Sequence, residues 1–326
     1  RGMINDRNGI PLAWNSPETT GEPTEKGPFP FRRSYIESSG FGHILGYVSY
    51  PKRDENGYFY QKELLGKDGA EDYYQKLLSG ENGLKIVETD ALGNIQSGNI
   101  IEAPHDGADL GLCIDARIQE RFFSIIGETV RNYGYVAGVG TLMDVHTGEI
   151  IAMTSYPEYS SAILSNGKDE RIIQSYKIDK NSVFLNRAVS GLYTPGSIIK
   201  PIMAIAALAE GVITPEKEIL STGSISIQNP YFPNIILVFI FWKAHGWVDM
   251  RRAIAVSSDV YFYVIGGGYQ GERGMGIKNI EKYSRMFGFG TPTGIDIGDE
   301  KSGIIPSPEW KTKMFKGDEW RIGDTY

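Results

Sequence analysis

The segment Pro195-Gly196-Ser197-Ile198-Ile199-Lys200-Pro201 sets a serine and a lysine three positions apart where an apolar helix begins. Residues at i and i+3 are neighbours on one helix face, so the spacing predicts that the lysine amine reaches the serine hydroxyl. Ser197 falls near the helix start, where unpaired N–H groups and the positive end of the helix dipole favour a developing negative charge. The stretch from Ile202 to Ala209 is apolar on every side and reads as buried. Burial disfavours an ammonium, which makes Lys200 a candidate base. The pair reads as an activated serine nucleophile with lysine in place of histidine.

Outward from this segment, a helix is predicted over 197–210, with others near 250–256, 260–265 and 277–287, the last closed by Gly288. Between two of them lies Ser257-Ser258-Asp259. This tripeptide is either a loop that points hydroxyls into a cleft or the N-cap of the helix that follows it. Upstream, Asp115 caps an amphipathic helix through about Arg131, and strands 137–145 and 149–155 flank a turn at His146-Thr147-Gly148. Leu110–Ile114 alternates like a strand, with Cys113 read as a core residue. Residues 35–100 form a small α+β region, strand-like at 43–48 and helical near 71–78, and residues 14–34 read as a linker or loop. Strands followed by helices, without strict alternation, predict an antiparallel sheet with helices beside it.

The chain has 326 residues, enough for about two domains. Its 33 basic and 40 acidic side chains give a net charge of −7, which argues against nucleic acid as a partner. With a single cysteine there is no internal disulfide. The longest strongly apolar run, Ile235 to Trp242, is far short of the ~20 residues that a membrane helix needs. The chain opens on Arg1-Gly2 and closes on Tyr326 with no obvious terminator, and so reads as a piece of something longer.

Ser197-x-x-Lys200 and Ser257-x-Asp259 together resemble the first two motifs of the penicillin-recognising serine transpeptidases. Arg1-Gly2-Met3-Ile4-Asn5-Asp6-Arg7-Asn8-Gly9 resembles the opening of monofunctional (class B) penicillin-binding proteins just after their membrane anchor, and His43–Val48 resembles a pedestal segment of that family. Phe287–Asp296 and Trp320–Thr325 resemble later pieces of the transpeptidase domain. The type most resembled is the elongation-class penicillin-binding protein 2, and the likeness covers nearly the whole chain. It implies an α+β transpeptidase fold over 106–326, incomplete at its C-terminus, behind a dimerisation-type pedestal over 1–105.

Carried over by resemblance, Ser197 is the residue acylated by substrate or β-lactam, and Lys200 takes its proton. Ser257 relays a proton to the leaving amine, and Asp259 bonds within the Lys200 network or to the substrate amide. The family usually carries Asn where this chain has Asp259; the carboxylate accepts the same bonds and adds a negative charge. The implied activity is peptidoglycan D,D-transpeptidation in cell elongation, on the extracytoplasmic (periplasmic) face of a bacterial membrane. The implied partners are stem peptides, β-lactams and other elongation proteins, with an anchor upstream of residue 1. The implied site is catalytic alone, without cofactor or metal, because serine, lysine and backbone N–H groups suffice. A β-lactamase or β-lactam sensor of the same fold, or a scaffold without catalysis, are the alternatives.

Three patterns imitate functional motifs. Lys301-Ser302-Gly303 mimics the family's third motif, Lys-Ser/Thr-Gly, but follows Asp259 by 42 positions and leads into a Pro-rich loop. Gly266–Gly271 matches the dinucleotide pattern but follows a helix instead of a strand. His43, His105, His146 and His245 lack metal-ligand spacing, and His146 reads as a solvated turn residue. The run 235–242 is more apolar than the family region before Trp-Lys-x-His-Gly, and reads as a buried strand, a variant loop or a sequence error. A polypeptide of residues 1–326, lacking the third-motif strand, is expected to give no measurable transpeptidation. Cross-linked products detected by mass spectrometry would refute that.

Overall fold

A computed structural model of the chain describes residues 1–17, 31–56, 58–61, 63–90, 95–229, 232 and 234–326. The fold is α+β, in two units: Arg1–Gly191 with Gly294–Glu300, and Leu192–Thr293 with Lys301–Tyr326.

In the first unit, a four-stranded sheet runs in the order Leu110–Gly111, Ile4–Asn5, Pro11–Pro17, Phe31–Tyr35. The pairing of Ile4 with Leu110 is parallel and the other two are antiparallel. Ile4, Leu12, Tyr35, Phe41, Ile44, Leu45, Leu78 and Ile114 form its core. As the sequence predicts, Asp115 caps the Ala116–Tyr133 helix, accepting from the N–H groups of Arg117 at 3.0 Å and Ile118 at 3.3 Å. Bonding to the Arg117 side chain leads the interactions that hold the Asp115 carboxyl down at about 2. The predicted hairpin is present as Gly138–Met143 paired with Ile150–Tyr156. Gln119 joins helix to hairpin: its amide donates to the Met153 carbonyl at 2.7 Å and accepts from the Met153 N–H at 2.8 Å. A fully buried Gln is tolerated because both ends of its amide are satisfied.

Several expectations change. The strand-like run 43–48 is instead a helical turn, Gly42–Leu45, followed by a short strand at Val48–Ser49. The Gly46 N–H closes the turn on the Gly42 carbonyl at 2.8 Å, and Gly46 has φ of 69°, which a side chain would resist. A short apolar run buried on all sides does not show its period, so tertiary packing decided the outcome. His43 is buried there, and burial pushes its imidazole down to about 4, keeping it neutral. The predicted linker is strand at both ends, Pro11–Pro17 and Phe31–Tyr35, and its residues 18–30 lie outside the described residues. Cys113 is exposed, because strand pairing stops at Gly111 and the chain turns into the Asp115 cap.

The second unit packs four helices, Lys200–Ala209, Met250–Ala255, Asp259–Gly267 and Gly276–Met286, around one core. Met203, Ala204, Ala206 and Ala207 share that core with Val260, Tyr261, Val264 and Ile265. Two small antiparallel sheets adjoin it: Ile219–Ser221 with Gly246–Val248, and Ser224–Gln228 with Ile236–Ile240. The puzzling apolar run is therefore strand, but half-exposed: Ile236, Val238 and Ile240 face solvent while Leu237, Phe239 and Phe241 turn inward.

The first unit also contains a buried ionic cluster. Glu71 accepts from Arg1 Nε at 2.6 Å and from Arg33 Nε at 2.7 Å, with all three side chains at most 1% exposed. Removing the shared carboxylate strands two guanidinium groups. Glu71→Ala is expected to cost about 3–5 kcal/mol, read by urea denaturation; a loss below about 1 kcal/mol would refute the assignment.

Candidate active site

Ser197 lies in a 3-10 turn, Gly196–Ile199, that leads directly into the Lys200–Ala209 helix. Gly196 has φ of 58° and open space around it, so backbone conformation, not crowding, calls for glycine there. Ser197 is exposed, whereas Lys200, at the head of the apolar helix, is only 8% exposed.

The tripeptide Ser257-Ser258-Asp259 performs both of the roles its sequence left open. Ser258 is the N-cap of the Asp259–Gly267 helix, fully buried, accepting from the Tyr261 N–H and bonded to the Ser221 hydroxyl at 3.0 Å. With Ser258 turned inward, its two neighbours face Lys200. The ammonium donates to the Ser257 carbonyl at 2.9 Å, to Ser257 Oγ at 3.0 Å and to the Asp259 carboxylate. Ser257 Oγ in turn bonds Ser197 Oγ at 2.9 Å. The four site residues thus form one chain, Asp259–Lys200–Ser257–Ser197. The lysine does not reach the serine directly, although the i, i+3 spacing predicts that it does; the hydroxyl of Ser257 joins them instead, because the ammonium is held on the 257–259 turn.

This chain can carry protons. Ser257 donates to Ser197 in the resting arrangement, and with Lys200 as the free amine rotation of both hydroxyls reverses the relay, so that Ser197 donates toward it. An exposed hydroxyl with such a path to a largely buried lysine is the arrangement that a serine nucleophile with a lysine base requires. Two ring faces also approach the ammonium: the Phe241 centroid lies 5.9 Å away and the Phe262 centroid 5.5 Å away. Motif reading missed both, and the 235–242 run, apolar on both faces, gave no signal for Phe241.

The imitations resolve in structural terms. Lys301-Ser302-Gly303 lies in an exposed irregular segment. Gly266 and Gly267 are helical, and a Cβ on Gly267 would meet the Tyr326 ring at 2.2 Å. Close packing, not phosphate binding, explains that glycine. His146 is exposed in its turn, and among the described residues no group of His, Cys, Asp and Glu is placed to hold a metal ion.

Ser257 has φ of 54°, the left-handed region that a non-glycine residue occupies at a cost of about 1–2 kcal/mol. That conformation turns both its carbonyl and its hydroxyl to Lys200, a geometry of the kind found at functional sites. Ser257→Gly is expected to be more stable than Ser257→Ala by about 1 kcal/mol in denaturant titrations; equal stabilities would show that no strain is held there.

Residues 138–324 match the penicillin binding protein transpeptidase domain, and residues 30–112 match the penicillin-binding protein dimerisation domain. The chain is 33% identical over 304 residues to peptidoglycan D,D-transpeptidase MrdA of Salmonella typhimurium, covering 90% of this chain and 46% of that protein. It therefore spans about half the length of this curated relative. The PBP2 of Pseudomonas aeruginosa, solved in complex with WCK 5153, superposes with a TM-score of 0.74 at 29% identity, over 100% of this chain and 63% of that one. The PBP2 of Helicobacter pylori, solved in complex with MreC, gives 0.77 at 26% identity, over 100% and 70%. With more than half of the chain matched to the transpeptidase domain, and the serine–lysine pair at the head of its apolar helix, the chain belongs to the penicillin-binding protein transpeptidase family, in its class B branch.

Proposed function

We propose that the chain is part of a peptidoglycan D,D-transpeptidase of the cell-elongation type. The observation that carries this reading is the unbroken hydrogen-bonded chain from Ser197 through Ser257 to Lys200 and Asp259. Family membership supplies the substrate class. Residues 106–326 are the catalytic part and 1–105 the pedestal.

The reaction is acyl transfer through a serine ester. Ser197 Oγ attacks the carbonyl carbon of the terminal D-Ala-D-Ala bond of a stem peptide while its proton passes through Ser257 Oγ to Lys200, which acts as the free amine once its ammonium has given one proton to solvent. A C–O bond forms, the C–N bond breaks, and the proton returns through Ser257 to the leaving D-alanine. The amine of a neighbouring stem peptide then attacks the ester and regenerates Ser197. Asp259 holds the lysine in line with Ser257. A β-lactam enters by the same attack, its ring amide standing for the peptide bond. General acid–base work of this kind contributes about 10²–10⁴-fold.

The polymer that supplies the stem peptides places the reaction on the extracytoplasmic face of a bacterial membrane. No described helix is long and apolar enough to cross a membrane. The Helicobacter pylori relative's complex with MreC supports elongation proteins as partners.

Fluorescent penicillin is expected to label the gene's full product, with the label mapping to Ser197. Ser197→Ala should abolish labelling, and Lys200→Met should slow it by about 10²-fold or more. Rapid hydrolysis of a chromogenic cephalosporin would identify a β-lactamase instead, and absence of labelling would identify a scaffold without catalysis.

A further inference from the structure

The apolar run 235–242 has no place in the transpeptidase motifs, yet its strand register puts one of its residues in the site. Ile236, Val238 and Ile240 point outward, and the period of two turns Phe239 and Phe241 to the core. Phe239 packs on Tyr263 and Tyr326, with ring centroids 5.6 and 5.2 Å apart. Phe241, anchored by its N–H to the Gly223 carbonyl at 2.7 Å, presents its ring to Lys200 Nζ. Phe262, three residues beyond Asp259 on its helix, presents a second ring.

The energetic situation of Lys200 explains why rings suit these two positions. Its ammonium has three N–H donors, and Ser257 O, Ser257 Oγ and Asp259 accept all three. What remains of its hydration shell has been stripped, at 8% exposure, and an aliphatic wall would leave that loss uncompensated. The negative face of an aromatic ring within about 6 Å attracts the cation and offsets part of the loss. Leucine would fill the same space without that attraction.

We propose that Phe241 and Phe262 form an aromatic collar that holds the Lys200 ammonium on its three acceptors, making both of them positioning residues for the acyl-transfer chemistry. The inference rests on the reading of Lys200 as a member of that site. The collar keeps Nζ aligned on Ser257 Oγ, the atom through which the serine proton passes. It also gives the inward face of the apolar strand a chemical task.

Stepwise ring fluorination tests this, because it drains the negative ring face while nearly preserving shape. Mono-, tri- and pentafluorophenylalanine are placed at 241 or 262 in the gene's full product, with Lys200 intact or in the Lys200→Met background. With Lys200 intact, each pentafluoro ring should shift the folding equilibrium about fivefold toward the unfolded state, which corresponds to ~1 kcal/mol. In the Lys200→Met background, that shift should vanish. The pH at which Ser197 acylation by fluorescent penicillin reaches half its plateau should fall stepwise with fluorine number, because a drained ring face holds the ammonium less well against the free amine. Equal shifts in both backgrounds, or a pH profile that does not move with fluorine number, would overturn the collar. The folding cycle reads the ring–ammonium contact without any acylation. Missing coupling therefore counts against the collar, whereas missing acylation of the unmodified protein counts against the transpeptidase reading.

Discussion

A largely buried lysine ammonium must find an acceptor for each of its three N–H bonds, and the second unit is arranged so that Lys200 finds them. All three come from the single turn 257–259, where two helices meet. Ser257 contributes a carbonyl and a hydroxyl only because its backbone adopts the left-handed conformation, and Asp259 contributes its carboxylate from the first residue of the next helix. Breaking any one of these would leave a buried charge short of a partner, which is far more costly than losing one exposed hydrogen bond. Ser197 is attached to this arrangement at its edge, one hydroxyl away from the ammonium.

Packing supplies the precision. Ala204, Ala206 and Ala207 let the helix that carries Lys200 share a tight core with Val260, Val264 and Ile265 of the helix that carries Asp259. The buried bond between Ser258 and Ser221 ties the turn to a neighbouring strand. The same logic recurs in the first unit, where Glu71 joins Arg1 to Arg33 and Gln119 joins a helix to a hairpin. In each case a buried polar group is kept because nearly all its bonding capacity is used, and it then fixes one geometry among several that apolar packing alone would allow.

What was legible in the sequence was local. The caps at Asp115 and Ser258, the hairpin around His146, and the apolar helix behind Lys200 each depend on residues within a few positions of one another. Segments whose outcome depends on distant partners were not legible. The run 43–48 became a helical turn because packing on every side hid its period, and Cys113 came to the surface where sheet pairing ended. The 235–242 run showed strand composition but not which of its faces is buried, because both faces are apolar and only neighbours choose between them.

The sequence by itself determined the chemical inventory: a serine three residues before a lysine that an apolar helix would bury, and a second serine beside an aspartate at a helix start. Those facts follow from helical periodicity and capping, which act over one or two turns. Tertiary structure alone decided that Ser257 is the link between serine and lysine, that Asp259 takes the third ammonium proton, and that rings from two separate elements face the same nitrogen. Residues sixty positions apart meet only when a shared core brings their elements together. Orientation at a scale of 3 Å is set by that packing and by the need to satisfy a buried charge, neither of which is written in any local stretch of the chain.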